Sequence, residues 1–338
     1  MAVELKADVL PLGVLIPTRN SMAWLERHVS ALRLWSQRVQ EVVVVDSQSS
    51  DGTPEYLRRH LSGPNVKHLS HPPGLYESWN YGLGQIRSQW SYIATVGDRI
   101  SEAAIIGLVT AGQESSGDLV ISPPSLVSTT GDKLDKQWPV HKFIQWKDLR
   151  RPGPVSGIEV FLWNALSVPG SLLGSSASNI YRTDYIQSHP FPVGYRHACD
   201  TAWAITNSFA ARWVVAPDLY SELLVHPAVP GSPEPVRHQS RERLHELARE
   251  LFRSIPDDAF QNKPLFENLL DGYWGAALAA LQADRNYTGM RHRAPPWFLR
   301  PAAWRERTRR KHMLSAAAQA RARILDALSG IAGASGGR

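Results

Sequence analysis

Four consecutive valines at positions 42–45 run straight into Asp46 and the polar stretch Ser47-Gln48-Ser49-Ser50-Asp51-Gly52-Thr53. A run this β-branched has no polar face to offer solvent. It fits a strand buried on both sides, as in a parallel sheet covered by helices. Parallel neighbours need crossover connections, and the flanking sequence supplies them. Residues 12–16 form a second short apolar run, stopped by Pro17. Between the two runs, Asn20 or Ser21 caps a helix whose Met22, Leu25, Val29 and Leu32 recur at helical spacing. Thr53 caps another, with Pro54 at its first position. Residues 66–69, 92–96 and 119–121 read as further strands. Residues 76–86 and the segment after Ser101 read as helices. This alternation predicts a doubly wound, mostly parallel α/β sheet with right-handed crossovers.

The rest of the chain is less regular. Residues 129–174 mix Trp138, Trp146 and Trp163 with Pro and Gly, which predicts irregular structure and short helices over the sheet. A helix is expected over residues 201–209, and after Pro235 the pattern is helical over 241–252, 264–281 and 313–328. We therefore expect an α/β domain over residues 1–234, a helical C-terminal extension over 235–328 and a disordered tail over 329–338. At 338 residues and 43% hydrophobic, the chain is long enough to bury a core without staples. Its single cysteine, Cys199, allows no intrachain disulfide and fits a reducing compartment. The N-terminus lacks the basic start and apolar run of a signal peptide. No stretch reaches the ~18 apolar residues of a membrane span. The expectation is a cytoplasmic protein, free or at the inner face of the membrane.

The formal net charge of +6 is concentrated late in the chain, where Arg291, Arg293, Arg300, Arg305, Arg307, Arg309, Arg310 and Lys311 meet only Glu306. Trp297, Phe298, Leu299 and Trp304 lie among these arginines. That pattern reads either as a membrane-surface segment or as a solvated basic helix. It lacks a groove-binding signature or regular aromatic spacing, so no nucleic-acid partner is expected.

In an open α/β sheet, ligands bind beyond the carboxyl ends of the strands. Three polar clusters fall there: Pro17-Thr18-Arg19-Asn20, Asp46 to Thr53 with Ser49 inside it, and Gly97-Asp98-Arg99. A carboxylate such as Asp46 can accept a hydrogen bond from a base N–H or a ribose hydroxyl, which suits a nucleotide. Structural alternatives stand beside each reading. Asp46 and Asp98 can cap turns, and Asp200 can be a helix N-terminal carboxylate. Tyr76 and Asn80, one helical turn apart, can simply pack. His197 and His226 can be loop histidines. The absence of glycine after the first strand counts against a nucleotidyltransferase, and no Gly-x-Gly-x-x-Gly supports an NAD(P)-dependent oxidoreductase.

At these residues the chain resembles family 2 glycosyltransferases of the GT-A fold. The resemblance rests on Pro17-Thr18-Arg19-Asn20, on 42–53, on Gly74-Leu75-Tyr76-Glu77-Ser78-Trp79-Asn80-Tyr81-Gly82, on the strand ending in Gly97-Asp98, and on Ser178-Asn179-Ile180-Tyr181-Arg182 followed by Phe191 and Asp200. It covers roughly residues 10–230. It implies an inverting transfer of a sugar from a nucleotide-diphosphate donor to a hydroxyl of a glycan or lipid-linked glycan. Pro17, Thr18, Arg19, Asp46, Ser49, Tyr76, Asn80, Asp98 and Arg99 would line the donor site. Asp200 would be the general base, and Asp98 with His226 would hold Mg²⁺ or Mn²⁺. The family usually has two acidic residues around the metal, with one residue between them; here those positions read Gly97, Asp98 and Arg99, which leaves one carboxylate. Either Asp98 holds a metal with help from the diphosphate, or Arg99 replaces part of its charge. A degenerate, non-catalytic member that binds a glycan or a partner is the remaining alternative.

Overall fold

The computed structural model describes residues 9–225, 234–260, 262–292 and 300–335. The chain divides into two compact units, residues 1–229 and 230–338.

In the first unit, eight strands among the described residues form one sheet. From one edge they run β3 (Val66–Ser70), β2 (Val39–Asp46), β1 (Leu10–Thr18), β4 (Trp90–Ile93), β9 (Asn179–Arg182), β6 (Leu119–Ile121), β10 (Trp213–Val215) and β8 (Gly153–Pro154). The β1–β2, β2–β3, β1–β4 and β6–β10 pairs are parallel, whereas β9 runs antiparallel to both its neighbours and β8 runs antiparallel to β10. A second, smaller sheet joins β5 (Arg99–Ile100), β11 (Ser221–Leu224) and β7 (Pro124–Val127) in that order. The expected mixed α/β architecture is the one observed.

The valine run fills the centre of β2, and all four side chains are buried. Helices cover the sheet: α1 (Met22–Arg33), α2 (Thr53–His60), α3 (Leu75–Leu83), α4 (Glu102–Glu114), α5 (Pro139–Lys147), α6 (Gly157–Leu166), α7 (Thr183–Ser188) and α8 (Cys199–Thr206). Gly82 lets α3 lie directly on β1 and β2. A Cβ there would run into the Leu15 side chain and sit 2.9 Å from Val45 Cγ2.

Three local expectations change. Thr53 is the first residue of α2 and Gly52 its N-cap, and the Thr53 hydroxyl accepts from the Ser21 N–H at 2.8 Å. Pro17 does not stop the first strand, because β1 continues to Thr18. Proline lacks a donor but is tolerated where one side of the ladder is open, and β1 pairs with β4 only as far as Leu15. Nor does Ser21 cap α1 with its own side chain. The Met22 N–H instead donates to Asp51 Oδ2 at 3.0 Å, so the loop after β2 caps the helix after β1.

The second unit holds α9 (Glu234–Ser254), α10 (Lys263–His292) and α11 (Arg300–Ser335). Buried Phe252 of α9 meets Trp274 of α10 edge to face. Asp284 of α10 ties all three helices, with one oxygen 2.8 Å from His238 Nε2 and the other 2.7 Å from Arg310 Nε. The Ala-rich helix α11 runs on to Ser335, through most of the stretch expected as a tail, because Ala332 and Ala334 continue a pattern with high helix propensity. Residues 336–338 and Trp297 to Leu299 lie outside the described residues.

Candidate functional site

The β1, β2 and β3 strands end at one level. Thr18 pairs with Asp46, and Asp46 with Ser70. At that edge the Asp46 carboxylate organises two loops. Its Oδ1 accepts from Thr18 Oγ1 at 3.1 Å and from Ser49 Oγ at 2.5 Å, and its Oδ2 accepts from the Ser49 N–H at 2.9 Å. A carboxylate has about four acceptor positions, so one remains for a ligand. Ser49 Oγ in turn accepts from the Asn20 N–H at 2.8 Å, and Asn20 Oδ1 accepts from the Ser50 N–H at 2.9 Å. Asn20 and Gln48 both sit at positive φ, 48° and 55°, a conformation that non-glycine residues hold only where neighbours over-determine it. The two strand-end loops are thus one clipped unit.

Beyond this edge opens a cavity of about 340 Å³ lined by Pro17, Thr18, Arg19, Ser47, Gly74 and Ser78, among others. Pro17, Thr18 and Arg19 come together here. Ser47, Gly74 and Ser78 are not among the expected donor-site residues, although they lie within the segments that carry the resemblance. Asp46 and Ser49 are not among the lining residues; Asp46 is linked to the cavity through the Thr18 hydroxyl that it accepts from.

Asp98 occupies a second, smaller cavity of about 170 Å³, whose lining includes Trp79, Thr95, Ser175, Asn179 and Asp200. The turn before it closes through the Asp98 N–H onto the Thr95 carbonyl at 3.1 Å, with Gly97 third in the turn at φ 99°. That conformation favours glycine, which gives a backbone reason why no second carboxylate stands at 97. Asp98 is 5% exposed. Its Oδ1 accepts from the Leu224 N–H at 2.9 Å and its Oδ2 from Ser175 Oγ at 3.2 Å. Burial nevertheless outweighs these bonds and pushes its pKa up to about 7. Packed beside it, His28 Nδ1 lies 3.2 Å from the Asp98 carbonyl oxygen, and burial lowers this histidine to about 4.

These two shifts act on stability in opposite directions. Between pH 4 and 7 the folded state holds a proton on Asp98 that the unfolded chain has lost, so this group makes stability fall as pH rises. His28 binds its proton only in the unfolded chain from pH 4 to about 6.5, so it makes stability rise over that window. Asp98→Asn removes the first effect. The melting temperature of the variant relative to wild type is expected to climb steadily from pH 4 to 7. A pH-independent difference in thermal denaturation would refute this assignment.

Asp200 lies in the first turn of α8, half-buried, with its Oδ1 accepting from the Thr201 N–H at 2.7 Å. Burial raises its pKa, against the lowering effect of a Tyr76 hydroxyl hydrogen bond. Tyr76 also packs against Trp79 and Phe191, with ring centroids 5.0 and 5.7 Å apart. It therefore belongs to the Asp200 side of the site. Asn80 serves neither cavity directly. Its Nδ2 donates to the Phe191 carbonyl at 2.8 Å and its Oδ1 accepts from the Phe191 N–H at 3.0 Å, which docks the segment leading to Asp200 onto α3. Arg99 also departs from expectation. It lines a separate cavity of about 510 Å³ with Ser30, Leu34 and Tyr220, and not the cavity of Asp98.

His226, expected as a metal ligand, lies outside the described residues. Among the described residues, no group of three or more His, Cys, Asp or Glu side chains is placed to hold a metal. Asp98 offers one buried carboxylate whose oxygens already accept two hydrogen bonds. Alone, that donor set does not fit a divalent ion that wants several oxygens.

Residues 13–105 match the sequence model of glycosyl transferase family 2. The matched span lies within the N-terminal unit. The matched span holds the Thr18–Asp46 edge and Asp98; Asp200 lies beyond it. No curated protein matches the chain. Among solved structures, the chain is similar to S. aureus TarS 1–349 in complex with UDP, at 17% identity and a TM-score of 0.53, over 89% of this chain and 88% of that one. It is also similar to TarS 1–349 in complex with UDP-GlcNAc, at 17% identity and a TM-score of 0.55, over 94% and 83%. At that identity the likeness is one of fold, the GT-A fold. No described helix is long and apolar enough to cross a membrane.

Proposed function

We propose that this family 2 glycosyltransferase moves a sugar from a nucleoside-diphosphate donor to an acceptor hydroxyl, with inversion at the anomeric carbon and Asp200 as general base. The observation that carries the reading is the arrangement of its carboxylates. Asp46 fixes the loops beside a cavity at the sheet's carboxyl edge, and Asp200 lines the same second cavity as Asp98. In a single in-line displacement, the acceptor oxygen bonds to the anomeric carbon while its proton passes to Asp200. The bond to the diphosphate breaks on the opposite side. A raised pKa makes Asp200 a stronger base once ionised. Arg19, the cation lining the donor cavity, is the group we assign to the departing diphosphate. UDP and UDP-GlcNAc, each with and without Mn²⁺, are expected to raise the melting temperature. If neither stabilises the protein under either condition, the donor assignment fails.

A glycan or lipid-linked glycan is the acceptor class we favour, because α11 presents a surface suited to an anionic membrane. Trp304 is 66% exposed there beside exposed Arg305, Arg307 and Lys311. Cosedimentation with anionic but not neutral vesicles is expected, and equal behaviour with both would remove this contact.

A further inference from the structure

The cavity beside the small sheet is not explained by the donor reading. It encloses about 510 Å³ and is lined by Ser30, Leu34, Arg99, Ser101, Tyr220 and Glu222, among others. Arg99 enters it from β5. The residue directly across the ladder from Arg99 is Glu222, the position from which a carboxylate ordinarily neutralises a cross-strand arginine. Here Glu222 Oε2 is taken by Arg27 Nη2 at 3.2 Å. Among the described residues Arg99 has no ion pair, and its Nε is buried without a hydrogen-bond partner. The carboxylate that faces Arg99 across the ladder is thus held by Arg27, and Arg99 lines, with no ion-pair partner among the described residues, a cavity far larger than a simple anion. Tyr220 and Leu34, 53% and 77% exposed, offer apolar faces to a larger body. The Ser30 and Ser101 side chains add hydroxyls, and Ser101 also caps α4 by accepting from the Ala104 N–H at 3.1 Å.

We infer that this cavity is a second ligand site, separate from the donor cavity, which takes an anionic sugar, with the Arg99 guanidinium on its phosphate or carboxylate group. Arginine's fork of donors matches either anion in a bidentate manner. Tyr220 and the serines meet the sugar ring and its hydroxyls.

The test measures binding of glucose 6-phosphate, glucuronate and glucose to the full chain by calorimetry. Binding of either anionic sugar, but not of glucose, is expected, with an affinity unchanged by saturating UDP. The phosphate and carboxylate arms identify which anion the site prefers. Arg99→Gln is expected to weaken that binding about tenfold or more, equivalent to the loss of ~1.4 kcal/mol, while the UDP-induced thermal shift persists. Glu222→Gln, which removes the competing carboxylate from an exposed position, is expected to tighten it. This second variant keeps the test decisive if Arg99→Gln does not fold. The inference is overturned if no anionic sugar binds, if UDP displaces it, if Arg99→Gln loses UDP in parallel, or if Glu222→Gln leaves affinity unchanged or weaker. A protein that binds anionic sugars but not UDP would instead fail the donor reading alone.

Discussion

Asp200→Asn is expected to lower the rate of sugar transfer by about 10²- to 10⁴-fold, the usual contribution of a positioned general base. The amide keeps an oxygen that can accept from the Thr201 N–H, so α8 and the aromatic cluster of Tyr76, Trp79 and Phe191 should stay in place. UDP should therefore bind the variant about as well as it binds wild type. Its pH profile carries the sharper test. Burial raises the Asp200 pKa, so the wild-type rate should increase with pH through a value above the ordinary carboxylate range. The residual activity of the variant should lack that limb. A variant that keeps both full activity and the same limb would remove Asp200 from the reaction.

Asp46→Ala acts on binding and folding together. It deprives the Thr18 hydroxyl, the Ser49 hydroxyl and the Ser49 N–H of one shared acceptor. Orphaning the buried Thr18 hydroxyl costs on the order of 1–3 kcal/mol, and the half-buried Ser49 groups, which water can reach, cost less. The variant is expected to unfold at clearly lower urea concentration and to bind UDP at least about tenfold more weakly, a loss of ~1.4 kcal/mol or more. Asp46→Asn separates the two effects, since it can retain part of the hydrogen-bond set while losing the charge. If UDP affinity survives in both variants, Asp46 is a loop clip and nothing more.

Much of the fold was legible because its signals are local. The valines at 42–45 could only be a strand buried on both faces, and they are one. Ser101 announced α4, and its hydroxyl does accept the Ala104 N–H. The 119–121 strand falls where its apolar run lies. Pro17, Thr18 and Arg19 line one cavity at the sheet's edge, where the loops that end parallel strands must lie. The resemblance did not find Ser175 or the Leu224 N–H as partners of Asp98, which are 77 and 126 residues away in the chain. No periodicity links positions that far apart.

Burial pattern and turn chemistry act over a few residues, so they set which segments become strands and helices and therefore which polar residues stand at strand ends. What each of those residues faces follows from packing between elements far apart in the chain. Asp98 and Arg99 are neighbours in the chain, yet Asp98 turns into a buried cavity where desolvation lifts its pKa to about 7, while Arg99 lines another beside the small sheet. The resemblance implies a donor-site role for Asn80, whereas its side chain is committed to the Phe191 backbone. Successive residues leaving a strand point to opposite sides, and which side holds ligand, solvent or core depends on packing between elements distant in sequence.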